Sequence, residues 1–160
     1  MSWAWYHIRQ RFDFSASHRL HVPGLSDEEN RRLFGKCNNP GGHGHNYQFE
    51  ACVAVPSAPD LQPVSSSTSP RQPPAPAPFT LETLERLADE AIIRRFDHKN
   101  LTTDTDEFCP ERGGVNATVE NIARFFHGLL EQTLRNAAPD VRLRSVTVWE
   151  TDRTSACYPA

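Results

Sequence analysis

Two stretches of this 160-residue chain, 6–18 and 43–55, alternate apolar and polar side chains, and each carries histidine on its apolar parity. In the first, Tyr6, Ile8, Phe12, Phe14 and Ala16 share one parity, while Arg9, Arg11 and Asp13 take the other. That is the period of a half-buried strand, and His18 continues its apolar set. In the second, His43, His45, Tyr47, Phe49, Ala51, Val53 and Val55 fall on one face, with Asn46, Gln48 and Glu50 opposite. A sheet with one apolar face must bury it against another layer, so these two runs commit the chain to a covered sheet.

Two helical stripes supply the cover. Thr80 is placed to N-cap a helix from Leu81 to Phe96, with Leu81, Leu84, Leu87, Ala88, Ala91 and Ile92 at helical spacing. Thr118 caps a second helix to about Arg135 that buries Ile122, Phe125, Phe126, Leu129, Leu130 and Leu134, and Asn136 and Pro139 end it. Val146, Val148 and Glu150 share a face of a third strand, and Ser155 to Tyr158 form a short fourth. The order strand-strand-helix-helix-strand-strand predicts an α+β fold, an antiparallel four-stranded sheet with two helices packed on one face. His21 to Gly42, rich in Gly, Asn, Pro and charge, reads as a long loop of the kind that carries function.

Length fits a single domain over 1–160. Residues 56–78 hold eight of the thirteen prolines together with a Ser/Thr run, so this Pro/Ser-rich insertion is expected to be disordered and to interrupt one domain instead of separating two. A net charge of -3 and a pI near 6.1 provide no basic stripe for a phosphate backbone, which argues against nucleic acid as a partner. Mean hydropathy is -0.59 and no apolar run is long enough to span a membrane. The first residues show neither a signal nor a transit pattern, and Cys37, Cys52, Cys109 and Cys157 lie far apart. A reduced thiol set in the cytoplasm is therefore the expectation.

His43 and His45, at strand spacing i, i+2, project two imidazoles from one surface, a pattern that is weak by itself. His18 on the apolar face of the neighbouring strand lets three histidines converge at one end of the sheet. Three nitrogens leave a tetrahedral zinc ion one open position, the arrangement of a catalytic site. Cys37 either closes that shell as a fourth ligand or stands beside the metal as a base, and Lys36 and a zinc ion would both favour its thiolate. Asp97 and His98 form either a helix-ending turn or a hydrogen-bonded relay. Glu150, in line with Val146 and Val148, needs polar partners that a ligand with adjacent N–H donors would supply. His7, His21 and His127 have no such pairing and read as ordinary residues.

FSASHRL (14–20), FGKCNNPGGHGHNY (34–47), DHKNL (97–101), TVENIARFF (118–126) and VWETD (148–152) resemble, in order and spacing, the sequence blocks of the 6-pyruvoyltetrahydropterin synthase family. The resemblance covers most of the chain outside 56–78. It implies a T-fold, a homohexamer built as a dimer of trimers with active sites at subunit interfaces, and Zn2+ as cofactor. By position it makes His18, His43 and His45 the metal ligands, Cys37 the base, and Asp97 and His98 its relay partners, from the same or an adjoining subunit. Glu150 becomes the anchor of the pterin ring, helped by backbone groups near Thr118 and Val119. The implied reaction is conversion of the small-molecule pterin triphosphate 7,8-dihydroneopterin triphosphate to 6-pyruvoyltetrahydropterin in tetrahydrobiopterin biosynthesis, by a zinc-dependent carbon-oxygen lyase. Arg19, Lys36 and Lys99 are candidates to receive the triphosphate. The alternatives are a 6-carboxytetrahydropterin synthase acting on the same substrate in the queuosine route, or a non-catalytic zinc and pterin binding module with a closed Cys-His₃ site. The five residues between Cys37 and His43 are more similar to the pyruvoyl enzymes. Two departures stand out: the Pro/Ser-rich run and Phe79 replace the family's usual lead into the first helix, and the end of the chain offers only a short last strand.

Deleting most of 56–78 and joining the flanks by a short turn should preserve folding, because the segment has no apolar payload and closure entropy changes slowly with loop length. Loss of soluble assembly on that deletion would show that the segment is structural.

Overall fold

The computed structural model describes residues 5–56 and 79–160, so the expectation of disorder at 57–78 lies outside the described residues. Strand β1 (Trp5–His18) pairs antiparallel with β2 (His43–Pro56), which pairs with β4 (Arg142–Thr151), which pairs with β5 (Thr154–Tyr158). A fifth strand, β3 (Lys99–Asn100), adds to the free edge of β1 in parallel at Ala16 and Ser17. The sheet is thus mixed and five-stranded, in the order β3-β1-β2-β4-β5, not four-stranded and antiparallel. A two-residue strand is too short to leave a periodic trace in sequence.

Both expected caps form: the Thr80 hydroxyl accepts from Thr83 N–H at the start of α2 (Leu81–Ala88), and Thr118 accepts from Asn121 N–H at the start of α5 (Val119–Ala137). The first helical stretch is not uniform, because Asp89–Ile93 is a π turn before α3 (Arg94–Phe96). Leu81, assigned to the buried stripe, is 47% exposed at the first turn, whereas Leu84, Leu87, Ala88 and Ile92 are buried as expected. Phe79, beside the altered lead into α2, packs against the core.

The segment expected to be a long loop holds a helix, α1 (Asp27–Phe34), followed by a 3₁₀ turn at Gly35–Asn38. Only Asn30 of α1 is buried, so no apolar stripe announced the helix; its signature was the capping box in which Ser26 and Glu29 bond each other's backbone N–H. Asn30 ties the preceding turn down, accepting from Val22 N–H at 2.7 Å and donating to the carbonyls of Val22, Leu25 and Ser26. Beyond β3, α4 (Leu101–Asp104) is capped by the Asn100 side chain.

The core lies between the sheet and the helices. Phe14, Tyr47, Phe49, Ala51, Val146 and Val148 line the sheet face, and Ile122, Phe126 and Leu130 of α5 meet them. Phe14 stacks on Tyr47 at 4.9 Å between ring centroids and Phe126 reaches both Phe14 and Phe49, contacts worth about 0.5–1.5 kcal/mol each beyond area burial. The β1–β2 register pairs Phe14 with Tyr47, Ala16 with His45 and His18 with His43. Gly42, just before β2, has φ +66°, and a Cβ there would lie 2.7 Å from the His18 carbonyl oxygen. Gly42→Ala should therefore cost on the order of 1–3 kcal/mol, by strain and by displacing the His18–His43 pair. Thermal melts and metal titration check this: a lower Tm together with weaker metal binding is expected, and a variant unchanged in both would contradict it.

Candidate metal centre and its surroundings

Strand alternation and the β1–β2 register put the three histidine rings together at one end of the sheet. Their ligand atoms all lie within 4.8 Å of one another, and His18 Nε2 is 3.3 Å from His43 Nε2. A tetrahedral zinc with Zn–N bonds of about 2.0–2.1 Å separates its nitrogens by about 3.3–3.4 Å, the separation already present between His18 and His43.

His18 is fully buried, and its Nδ1–H donates to the Ala117 carbonyl at 2.8 Å, with the Tyr47 hydroxyl oxygen a second neighbour at 3.3 Å. That bond fixes the tautomer and turns Nε2 toward the other two rings. His43 Nδ1 and His45 Nε2 are buried without a hydrogen-bond partner among the described residues. A buried nitrogen left unpaired is costly, and at His45 Nε2 a metal ion is the partner the donor set fits; on His43 the nitrogen that faces the cluster is Nε2, not the unpaired Nδ1. Burial holds the His18 and His45 imidazoles below their ordinary pKa, against an opposing pull from Glu150, so both are neutral near pH 7 and ready to bind metal.

Glu150 comes to the same place. Its Oε1 is 3.6 Å from His18 Nε2 and 3.5 Å from His45 Nε2, which gives the partly buried carboxylate the polar surroundings its place on the apolar face requires. Cys37 sits beside the cluster, with Sγ 3.9 Å from His43 Nε2. The expected help from Lys36 is not what sets its thiol: Lys36 is exposed, and burial together with the Glu150 charge pushes the Cys37 thiol up. An open cleft of about 890 Å³ is lined by Cys37, His43 and His45 with Arg31 and Lys36. Thr118 and Val119 open α5 directly after Ala117, whose carbonyl holds His18.

Asp97 and His98 lie elsewhere, on the free edge of β1. Asp97 Oδ1 accepts from Ser15 N–H at 2.8 Å, which with His98 holds the Asp97 carboxyl below its usual range, and its Oδ2 is 2.8 Å from His98 Nδ1. His98 donates its own N–H to the Ser15 carbonyl at φ 56°, a left-handed backbone uncommon outside glycine, and its ring is 82% exposed. Among the described residues, neither side chain bonds Cys37 or the three histidines. A second cleft of about 410 Å³, lined by Ser15, Ser17, Asn46, His98 and Lys99, adjoins the first at His45.

Sequence reasoning missed Tyr47 and Asn38. Tyr47 is fully buried, and burial with the Glu150 charge raises its hydroxyl far above the ordinary value, so it stays a neutral neighbour of His18. Its position two residues beyond His45 on the same parity was the available signal.

The His18 and His45 shifts fix a pH dependence. Their folded pKa values lie below the unfolded value of 6.5, so the unfolded chain binds more protons as pH falls below that point. Chelator-treated protein should hold its full stability above about pH 6.5 and lose it progressively below, and His18→Gln should flatten the decline. Denaturant midpoints between pH 5 and 8 measure this, and a stability rising toward pH 5 would contradict it. His43→Ala and His45→Ala should each lose metal while keeping the fold, because two ligands hold the ion far less firmly than three. Full metal occupancy in either variant would refute the ligand assignment.

The family model of 6-pyruvoyl tetrahydropterin synthase matches residues 7–160. The chain is 38% identical to the 6-pyruvoyl tetrahydrobiopterin synthase of Homo sapiens over 151 residues, 94% of this chain and 89% of that protein. It is 34% identical to the enzyme of the same name from Drosophila melanogaster, covering 94% of this chain and 77% of that one. The solved structure of Caenorhabditis elegans 6-pyruvoyl tetrahydropterin synthase superposes with a TM-score of 0.74 at 29% identity, over 98% of this chain and 96% of the other. A match of this extent, on a fold whose strand register assembles the histidine cluster, places the chain in the 6-pyruvoyl tetrahydropterin synthase family.

Proposed function

We propose that this protein converts 7,8-dihydroneopterin triphosphate to 6-pyruvoyltetrahydropterin as a zinc-dependent lyase. The observation that carries the reading is the convergence of His18, His43 and His45 beside Cys37 and Glu150 in one cleft of a chain from this family. The reaction eliminates inorganic triphosphate from the side chain and moves two electrons from the side-chain carbinols to the dihydropterin ring, so no external nicotinamide is consumed.

His18, His43 and His45 would hold the zinc, which when bound supplies a Lewis acid that makes side-chain hydroxyls more acidic. Cys37 takes a proton from the side chain, and Asp97 and His98 carry protons onward. In a single chain that pair does not reach Cys37, which supports a homohexamer, a dimer of trimers, in which Asp97 and His98 of an adjoining copy complete each site. Glu150 accepts hydrogen bonds from the pterin ring N–H and exocyclic amine, a planar two-donor edge that matches a carboxylate. Backbone groups at Thr118 and Val119 complete the ring pocket. Arg31 and Lys36 lie on the wall of the Cys37 cleft without an ion pair among the described residues and take the triphosphate. Arg19 is engaged, its Nε donating to the Asn38 carbonyl, and Lys99 belongs to the other cleft. No helix of the described residues is long and apolar enough to cross a membrane, and all four cysteines are unpaired, which supports action in the cytoplasm.

Incubating the zinc-loaded protein with 7,8-dihydroneopterin triphosphate and weighing the products tests the reading. A pyruvoyl product with free triphosphate is expected; release of acetaldehyde would identify the carboxy reaction, and no turnover would refute catalysis. Cys37→Ala should keep zinc and bind substrate but lose roughly 10²–10⁴-fold in single-turnover rate, the usual contribution of a general base. Glu150→Gln should instead weaken pterin binding with zinc retained, because one acceptor becomes a donor facing ring N–H groups. A Cys37→Ala protein at wild-type rate would end the mechanistic assignment.

A further inference from the structure

Cys37 stands on a short 3₁₀ turn, Gly35–Asn38, directly after the exposed Lys36 and before Asn38. Among the described residues its thiol has one hydrogen-bond contact, to His43 Nε2 at 3.9 Å. Hydrogen bonds to residues 19–21 tie this turn to the segment that follows His18. The one buried residue of the turn is Asn38, 6% exposed, directly after the thiol.

Asn38 binds the turn to the segment that follows His18. Its Nδ2 donates to the Leu20 carbonyl at 2.7 Å and lies 3.1 Å from His21 Nδ1. Its own carbonyl accepts from Arg19 Nε at 3.2 Å, and Leu20 N–H donates to the Cys37 carbonyl at 2.7 Å. Residues 19–21 are themselves anchored: Arg19 exchanges hydrogen bonds with the Thr102 hydroxyl, and His21 N–H donates to Asn116 Oδ1 at 2.8 Å. The Asn38 carboxamide thus joins the base to the backbone that carries a metal ligand, with both of its donor hydrogens aimed at named acceptors. From this geometry we infer that Asn38 is a positioning residue for Cys37. It sets where the thiol stands relative to the three histidines: although Asn38 lines the Cys37 cleft, its carboxamide hydrogens are taken by Leu20 and His21.

The inference rests on Cys37 as the base, so its test is a double-mutant cycle on the full, zinc-loaded protein. Asn38→Ala should lower kcat by roughly 10–10²-fold, the scale of a misplaced reacting group, with KM and zinc content within about twofold of wild type. In the Cys37→Ala background the same change should alter the residual rate by less than about twofold, because nothing is left to position. Asn38→Ser, which keeps a donor of shorter reach, should give an intermediate kcat at unchanged KM and keeps the test in force if the alanine variant does not fold. A full additive loss in the Cys37→Ala background, or a rise in KM or loss of zinc in place of the kcat effect, would overturn the inference while leaving the base assignment standing. A Cys37→Ala enzyme at wild-type rate would overturn both, and is recognised by that single variant.

Discussion

The antiparallel register of β1 on β2 is the constraint on which the rest of the molecule depends. It sets His18 opposite His43 and Ala16 opposite His45, so three imidazoles from two strands meet at one end of the sheet. Side chains alternate with a period of two, and a slip of one residue would turn the whole histidine set to the other face. What prevents the slip is the hydrophobic pairing further along the same strands, where Phe14 stacks on Tyr47, Phe12 on Phe49, and Phe126 of α5 closes over them. The core therefore builds the histidine cluster: the aromatic pairs that stabilise the sheet also fix the separation of its three rings.

The helical layer is tied to the same point. α5 begins at Val119, and the residue before its cap Thr118, Ala117, presents its carbonyl to His18. A fully buried imidazole is tolerable only with its N–H paired, and that pairing also selects the tautomer whose free nitrogen faces His43. The carboxylate of Glu150 arrives from β4 on the same face, completing a group in which neutral nitrogens, a thiol and one negative charge share a small volume. Such a group makes sense around a cation and a polar substrate, and it would be a poor choice for a sheet that needed only stability.

Much of this was legible in the sequence because strand parity and helix caps are local rules. The alternation in 6–18 and 43–55 gave both strands and the shared face of the histidines, and Thr80 and Thr118 gave the helix starts. β3 was not legible, since two residues carry no period and its pairing to β1 is a tertiary choice. α1 was hidden because its only buried residue is polar, although Ser26 and Glu29 spelled out its capping box. Resemblance implied the roles of Cys37, Asp97 and His98 and an adjoining subunit as the source of that pair; within one chain Asp97 and His98 sit beside Ser15 of β1, whereas Cys37 sits beside His43 of β2. Asn38 was invisible for a similar reason: its partners, the Leu20 carbonyl and the His21 ring, lie 18 and 17 residues away along the chain.

The account turns on a three-histidine site left open for chemistry, with Cys37 beside it and not in it. Substituting cobalt(II) and recording the near-ultraviolet and visible spectrum tests this most directly. The account predicts bands of a nitrogen-ligated ion without intense sulfur charge transfer, unchanged in character in Cys37→Ala. A strong charge-transfer band that disappears when Cys37 is replaced would show a closed Cys-His₃ shell and contradict it.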